Sequence, residues 1–167
     1  MQMRYALSSC ALVLGAVLAS GAMAAEGAAP AGGAMGGMPS PAQRAIEYRK
    51  AVMTIVGATY GPIGGVLAGR APYNAADIGK RAERLAFMAG LAAEAFPEVS
   101  KDGDTKTKPE AWTDKAGFDK AMQAFGDSSA ALAMLVKTDP TNSDAFKAAA
   151  GKVGQSCKGC HDNYKAK

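Results

Sequence analysis

Four stretches of the chain place apolar residues at the three- and four-residue spacing of a single helix face. The clearest begins after Asn74 and continues to Pro97. No stretch alternates apolar and polar positions with β-branched residues, so strands are not predicted. In the stretch between Asn74 and Pro97, the apolar positions are Ile78, Ala82, Leu85, Ala89, Ala92 and Phe96. The pattern predicts an all-α fold, an antiparallel four-helix bundle with up-down-up-down connections.

The helix boundaries are predicted from capping residues and from Gly or Pro. The first helix starts at Ser40-Pro41, breaks at Gly61-Pro62 and continues briefly to about Ala68. The second starts at Asn74, and a long polar loop over 97–112 follows it. The third and fourth helices are expected to begin at Thr113 or Asp114 and near Ser143, with the fourth ending at about Lys165.

The N-terminal part of the chain has the pattern of a secretory signal. Arg4 precedes an apolar run over 6–19, and Ala22-Met23-Ala24 supplies a small-x-small cleavage pattern. Residues 1–24 are therefore predicted to be a removable signal peptide, and 25–40 a flexible leader of Ala, Gly, Pro and Met. The bundle is expected over 41–167, with no membrane span in the mature chain and a periplasmic location.

The amino-acid composition excludes several kinds of binding partner and metal site. The 167 residues include 19 Lys+Arg and 15 Asp+Glu, spread without a long run of like charges, so nucleic acid is not an expected partner. Three Cys and one His exclude a multi-histidine zinc or copper site and a disulfide framework. Cys10 lies in the predicted signal peptide, which leaves two Cys and one His for chemistry.

Those three residues fall in one motif, Cys157-Lys158-Gly159-Cys160-His161. The Cys-x-x-Cys-His sequence is the attachment motif of a c-type haem, since helical spacing puts both thiols and the imidazole on nearby faces. A redox dithiol or a disulfide is the alternative, but it gives no role to His161. We therefore predict one covalent haem c per chain. The sixth iron position cannot hold a second His, which leaves Met, Lys, a small exogenous molecule or no ligand.

Beyond this motif, the sequence resembles the cytochrome c′ family, the class II c-type cytochromes, over 41–167. Two positions depart from the family pattern. Lys165 stands where the family often has Arg, and Ala93 where many high-spin members have Trp. The matching stretches are Tyr48-Arg49-Lys50, Ala71-Pro72-Tyr73-Asn74-Ala75-Ala76, Pro109-Glu110-Ala111-Trp112 and Val153-Gly154-Gln155-Ser156.

The resemblance implies roles for several residues around the haem. It places Arg49 near the haem edge, with Lys50 and Thr105 as contacts of the propionates. Solvated charges on the first helix are the alternative for Arg49 and Lys50. Met53 would lie on the distal side, where it either covers an open site on five-coordinate, high-spin iron bound by His161 or ligates low-spin iron as sixth ligand.

The resemblance also implies a function. It suggests one-electron transfer with redox partner proteins, binding of NO or CO, or both, and commonly a homodimer through the first two helices. The expected distal stripe of Met53, Val56 and Ile46 has no acid or base to move protons on a bound peroxide, so an enzyme is not expected.

Overall fold

The computed structural model describes residues 37–167; the predicted signal peptide and residues 25–36 of the predicted leader lie outside this range. Four long helices pack in the cyclic order α1, α2, α4, α5. A single 3-10 turn, Glu98–Ser100, and a one-turn helix, α3, lie between α2 and α4. The predicted all-α antiparallel bundle is confirmed. The helices are α1 (Pro41–Leu67), α2 (Ala75–Glu94), α3 (Glu110–Thr113), α4 (Lys115–Thr138) and α5 (Asp144–Tyr164).

Each long helix begins at a side chain that accepts a hydrogen bond from the first turn. Ser40 Oγ accepts from the backbone N–H of Gln43 at 3.1 Å, and the Gln43 side chain returns a bond to the Ser40 N–H at 2.7 Å. Asn74, Asp114 and Ser143 cap α2, α4 and α5 in the same way. The predicted helix starts are therefore confirmed, with Asp114 rather than Thr113 as the cap of α4.

The predicted break at Gly61-Pro62 is wrong, because α1 continues through it to Leu67. Pro62 has no N–H to donate to the carbonyl of Ala58, which would be left without a partner. Arg81 of α2 supplies the missing donor, since its Nη1 lies 3.4 Å from that carbonyl oxygen. The helix tolerates the proline because a neighbouring helix satisfies the freed carbonyl.

The loop predicted over 97–112 also needs correction, since it contains the Glu98–Ser100 turn and α3. Gly126 and Ser128-Ser129 are weak helix formers, yet α4 continues through them without interruption. Among residues 37–167, no helix has both the length and the apolarity that crossing a bilayer requires.

The core follows the predicted apolar stripes of the four long helices. Small alanines of α2 and larger side chains of α4 face each other, so the bundle interior is closely packed. The buried apolar residues on these stripes include Ile46, Val56, Ile78, Ala82, Leu85, Ala89, Ala92, Phe118, Met122, Phe125, Leu132, Val136, Phe146, Ala150 and Val153.

The C-terminal end of α5 is fixed by both side-chain and backbone bonds. The buried Tyr164 donates its hydroxyl to Asp114 Oδ2 at 2.8 Å, while Asp114 Oδ1 caps α4. Its ring meets that of Phe118 edge-on at 5.2 Å. The backbone of the preceding loop adds bonds from the Lys108 N–H to the Tyr164 carbonyl at 2.9 Å and from the Ala166 N–H to the Lys106 carbonyl at 2.7 Å.

This anchor predicts a change of stability at alkaline pH. The hydrogen bond to Asp114, burial and the Asp114 charge raise the pKa of Tyr164 to about 12 from an ordinary value of 10.0. The neutral phenol therefore stabilises the fold fully below pH 10, and this stabilisation is lost as the pH rises from 10 to about 12. We expect the wild-type advantage over Tyr164→Phe in urea unfolding to shrink across that range. An advantage that stays constant or grows would contradict the assignment.

Candidate haem site

The motif cysteines continue the core stripe of α5. Phe146, Ala150 and Val153 are fully buried, and Cys157 and Cys160 follow at the same spacing as half-buried, free thiols. Burial raises the pKa of both thiols, and the neighbouring Cys157 adds to the shift at Cys160. Two thiols one turn apart on one helix face suit attachment to two neighbouring vinyl groups of one macrocycle.

His161 follows the second thiol and lies at the edge of the bundle with an exposed side chain. Partial burial of the ring lowers its pKa, and the positive charge of Lys165 lowers it further, against the opposing charge of Asp162. Asp162 forms an ion pair with Lys158 on the outer face of the helix. The lowered pKa favours the neutral imidazole, which is the form that binds a metal ion.

Arg49 is buried, with only 3% of its surface exposed. Its Nη1 donates to Ser100 Oγ at 2.5 Å and to the Ala95 carbonyl at 3.2 Å, and its Nη2 donates to the Ser100 carbonyl and to Thr105 Oγ1, each at 3.0 Å. Its guanidinium carbon lies 5.1 Å from the centre of the Phe96 ring. Arg49 is therefore not a solvated surface charge, and burial lowers its pKa.

The partners of Arg49 are all neutral. Across residues 37–167, Arg49 takes part in none of the ion pairs. A buried cation without an anion is costly, and a propionate is an anion of suitable charge. This environment, together with the two thiols and the neutral imidazole of α5, fits a haem c group.

Thr105 and Lys50, the two other predicted propionate contacts, have different surroundings in the structure. Thr105 reaches the Arg49 guanidinium and also accepts a bond from the Thr107 N–H at 3.1 Å. Lys50 points outward and pairs with the exposed Asp104 at 2.6 Å. That contact lowers the pKa of Asp104 through its hydrogen bond and through the Lys50 charge. Thr105 and Arg49 are thus brought together, whereas the side chain of Lys50 is a solvated one.

Met53 lies one turn after Arg49 on α1. Its side chain is half-buried and packs against the core, next to the buried Val52 and Val56. The expected distal stripe is therefore an apolar face of α1. Its role at the iron stays a prediction.

Ser100 and Trp112 were not identified as site residues from the sequence. Ser100 is fully buried and offers both its hydroxyl and its carbonyl to Arg49. The Trp112 ring lies 5.6 Å from the guanidinium carbon and donates its Nε1–H to the Phe96 carbonyl at 3.1 Å. A loop serine carries no periodic signal, so only the buried charge of Arg49 could have indicated that such acceptors were needed.

A surface groove of about 350 Å³ lies between α2 and α4. Its α2 side consists of small residues, including Ala93 at the position where the resemblance leads one to expect Trp. None of the three motif residues lines this groove. The lining residues are Ala86, Ala89, Gly90, Ala93, Phe118, Asp119, Met122, Gln123 and Gly126.

Comparison with known proteins gives consistent matches. The family model described as Cytochrome C′ matches residues 44–165. The cytochrome c′ of Alcaligenes xylosoxydans xylosoxydans is 37% identical over 123 residues, which cover 74% of this chain and 94% of that protein. The solved cytochrome c prime of Shewanella frigidimarina superposes with a TM-score of 0.71 at 39% identity, covering 75% of this chain and 97% of that one.

A second solved structure is a ferrous variant of cytochrome c prime from Alcaligenes xylosoxidans with bound NO. It matches with a TM-score of 0.67 and 36% identity over 75% of this chain and 96% of that chain. The matched region contains the motif cysteines, the single histidine and the buried Arg49. The chain therefore belongs to the cytochrome c′ family, and its cofactor is a covalently attached haem c.

Proposed function

We propose that the protein is a periplasmic haem c protein that transfers single electrons and binds NO or CO at a five-coordinate, high-spin iron. When bound, the haem supplies a one-electron Fe(II)/Fe(III) couple and a coordination position for a diatomic gas. His161 is the axial ligand in this proposal, and Cys157 and Cys160 hold the group covalently. The solved relative with bound NO supports the gas-binding part.

The apolar face of α1 is the observation that carries the proposal. Ile46, Val52 and Val56 are buried there, and Met53 lies among them. The charged group on this face is the buried Arg49, whose Nη1 and Nη2 bonds all go to Ala95, Ser100 and Thr105, away from Met53's neighbours on the stripe. Such a face offers no hydrogen bond to a bound gas, which disfavours stabilised O₂ and suits NO or CO. It also offers no proton donor for peroxide chemistry, so we propose binding and electron transfer rather than enzymatic catalysis.

The second candidate is a low-spin protein in which Met53 is the sixth ligand and the function is electron transfer alone. It is favoured by the half-buried side chain of Met53 on the same face of α1. Arg49 has the same role in both candidates: it holds a propionate with a buried positive charge, beside Thr105.

We further propose that the protein forms a homodimer through α1 and α2. Ile55 of α1 and Phe87 of α2 are large apolar side chains with 47% and 68% of their surface exposed. Burial of such side chains against a second copy would remove apolar surface from water.

Optical spectra of the ferric and ferrous holoprotein, with and without CO, separate the two candidates. We expect a high-spin spectrum, ready CO binding and no change of spin state in Met53→Ala. A low-spin spectrum that becomes high-spin in Met53→Ala would instead establish methionine ligation. Absence of covalent haem after expression with a cytochrome c maturation system would refute both.

Arg49→Met tests the buried charge. Removal of a positive charge near the haem destabilises the reduced state relative to the oxidised state, by about 1 kcal/mol. The midpoint potential should therefore fall by roughly 40 mV for this one-electron couple. Lys50→Met is the matched control, because that neighbouring charge is solvated and already paired with Asp104. Equal shifts in the two variants, measured by redox titration, would count against a specific role for Arg49.

Phe87→Asp tests the dimer, since a charge in an apolar interface opposes association. We expect sedimentation equilibrium to show a dimer for the wild type and a monomer for the variant. Met134→Asp is the control, because Met134 is similarly exposed, at 66%, but lies on α4. Loss of the dimer in the Met134 variant, or a monomeric wild type, would contradict this interface.

A further inference from the structure

One polar contact joins α1 to the motif helix α5. Tyr60 of α1 donates its hydroxyl to the carbonyl of Ala150 of α5 at 3.1 Å. The ring end lies directly against Gly154. A Cβ built on Gly154 would lie 2.4 Å from the Tyr60 hydroxyl oxygen and 3.2 Å from Cζ. The phenol thus occupies the space that the side chain of any residue other than glycine would fill at position 154.

This contact is in register with the predicted iron site. Met53 precedes Tyr60 by seven residues, and His161 follows Gly154 by seven residues. Because α1 and α5 are antiparallel, both steps run the same way along the bundle, by about 10 Å each. Seven residues are almost two complete turns, so each step also returns to the same helix face. Met53 and His161 therefore lie at one level, on the faces that meet at Tyr60 and Gly154.

We infer that Tyr60 is a positioning residue. Because its ring packs against Gly154, it sets the distance between α1 and α5, and this distance determines how closely Met53 covers the sixth coordination position of the iron. The inference rests on the proposed function, because it concerns access to the iron.

The contact between Tyr60 and α5 is suited to keeping α1 and α5 at a fixed distance. The apolar side chains that α1 buries, such as Val52, Val56 and Ile63, are alkyl groups without a directional contact to their neighbours. The tyrosine ring is rigid, and its hydroxyl has a fixed acceptor in the backbone of α5. A shift of α1 away from α5 at this point must move Met53 as well, since both residues belong to the same continuous helix.

Gly154→Ala tests the spacing in the holoprotein. The added methyl group pushes the Tyr60 ring and α1 outward, so CO association with the ferrous protein should rise roughly tenfold, as expected when crowding in an apolar pocket is relieved by about a methylene. Any low-spin fraction in the ferric spectrum should fall. Gly151→Ala is the matched control, because a Cβ on this glycine of the same helix meets nothing within 4 Å. Adding Tyr60→Phe to Gly154→Ala removes the closest clash and should restore most of the wild-type rate.

Tyr60→Leu should have the opposite effect, since a shorter side chain lets α1 approach α5 and slows CO association. A general loss of stability would not reverse sign between the two variants, and this variant serves if Gly154→Ala does not fold. Wild-type rates and spectra in a folded Gly154→Ala or Tyr60→Leu protein would overturn the inference. A wild type that carries haem but binds no CO would contradict the proposed function instead, and the low-spin fraction of Gly154→Ala would then decide the inference.

Discussion

The structure depends on a single helical surface that serves both the core and the cofactor. The side chains of Phe146, Ala150 and Val153 are withdrawn from water on the same stripe of α5 that continues into Cys157 and Cys160. A rotation of α5 that moved the thiols would also expose the phenylalanine and the valine, at a cost of about 1.5 to 3 kcal/mol for each large apolar side chain. Core packing therefore fixes the direction in which the haem-binding residues point.

The buried charge of Arg49 has a comparable influence at the other side of the site. One guanidinium holds Ala95, Ser100 and Thr105, which belong to a loop with little regular structure of its own. The same group keeps its positive charge while its contacts with protein are to neutral groups only. Arg49 therefore has two roles: it holds this loop in place, and it supplies the positive charge that would attract an anion such as a haem propionate.

The sequence was sufficient for features that depend on local spacing. The apolar stripes, the caps at Ser40, Asn74 and Ser143, and the attachment motif all follow from residues within a few positions of each other. It was insufficient where a distant residue decides the outcome. Pro62 looked like a helix end because the donor that satisfies the Ala58 carbonyl lies on another helix, at Arg81.

Long-range contacts also explain why part of the site could not be predicted. Arg49 and Lys50 are adjacent cations, and nothing local distinguishes the buried one from the one paired with Asp104 in solvent. The difference comes from the face of α1 on which each falls, together with a loop that carries the acceptors. Ser100 had no signal at all, because its importance lies in two oxygen atoms offered to a charge that is 51 residues away in sequence.

The two sides of the predicted iron site are held in physically different ways. On the motif helix, Tyr164 is tied to the cap of α4 and to the backbone of the preceding loop, so the turn that carries His161 is fixed by several directional bonds. On α1, Arg49 is bonded to Ala95, Ser100 and Thr105, but these bonds tie the helix to the loop after α2 and not to α5. Against α5 itself, α1 is held by alkyl packing and by the hydrogen bond of Tyr60. Directional bonds resist displacement more strongly than alkyl contacts, which can slide. The motif helix is thus fixed by directional bonds at its C-terminal end, whereas the contact between α1 and α5 rests mainly on packing and on the hydrogen bond of Tyr60.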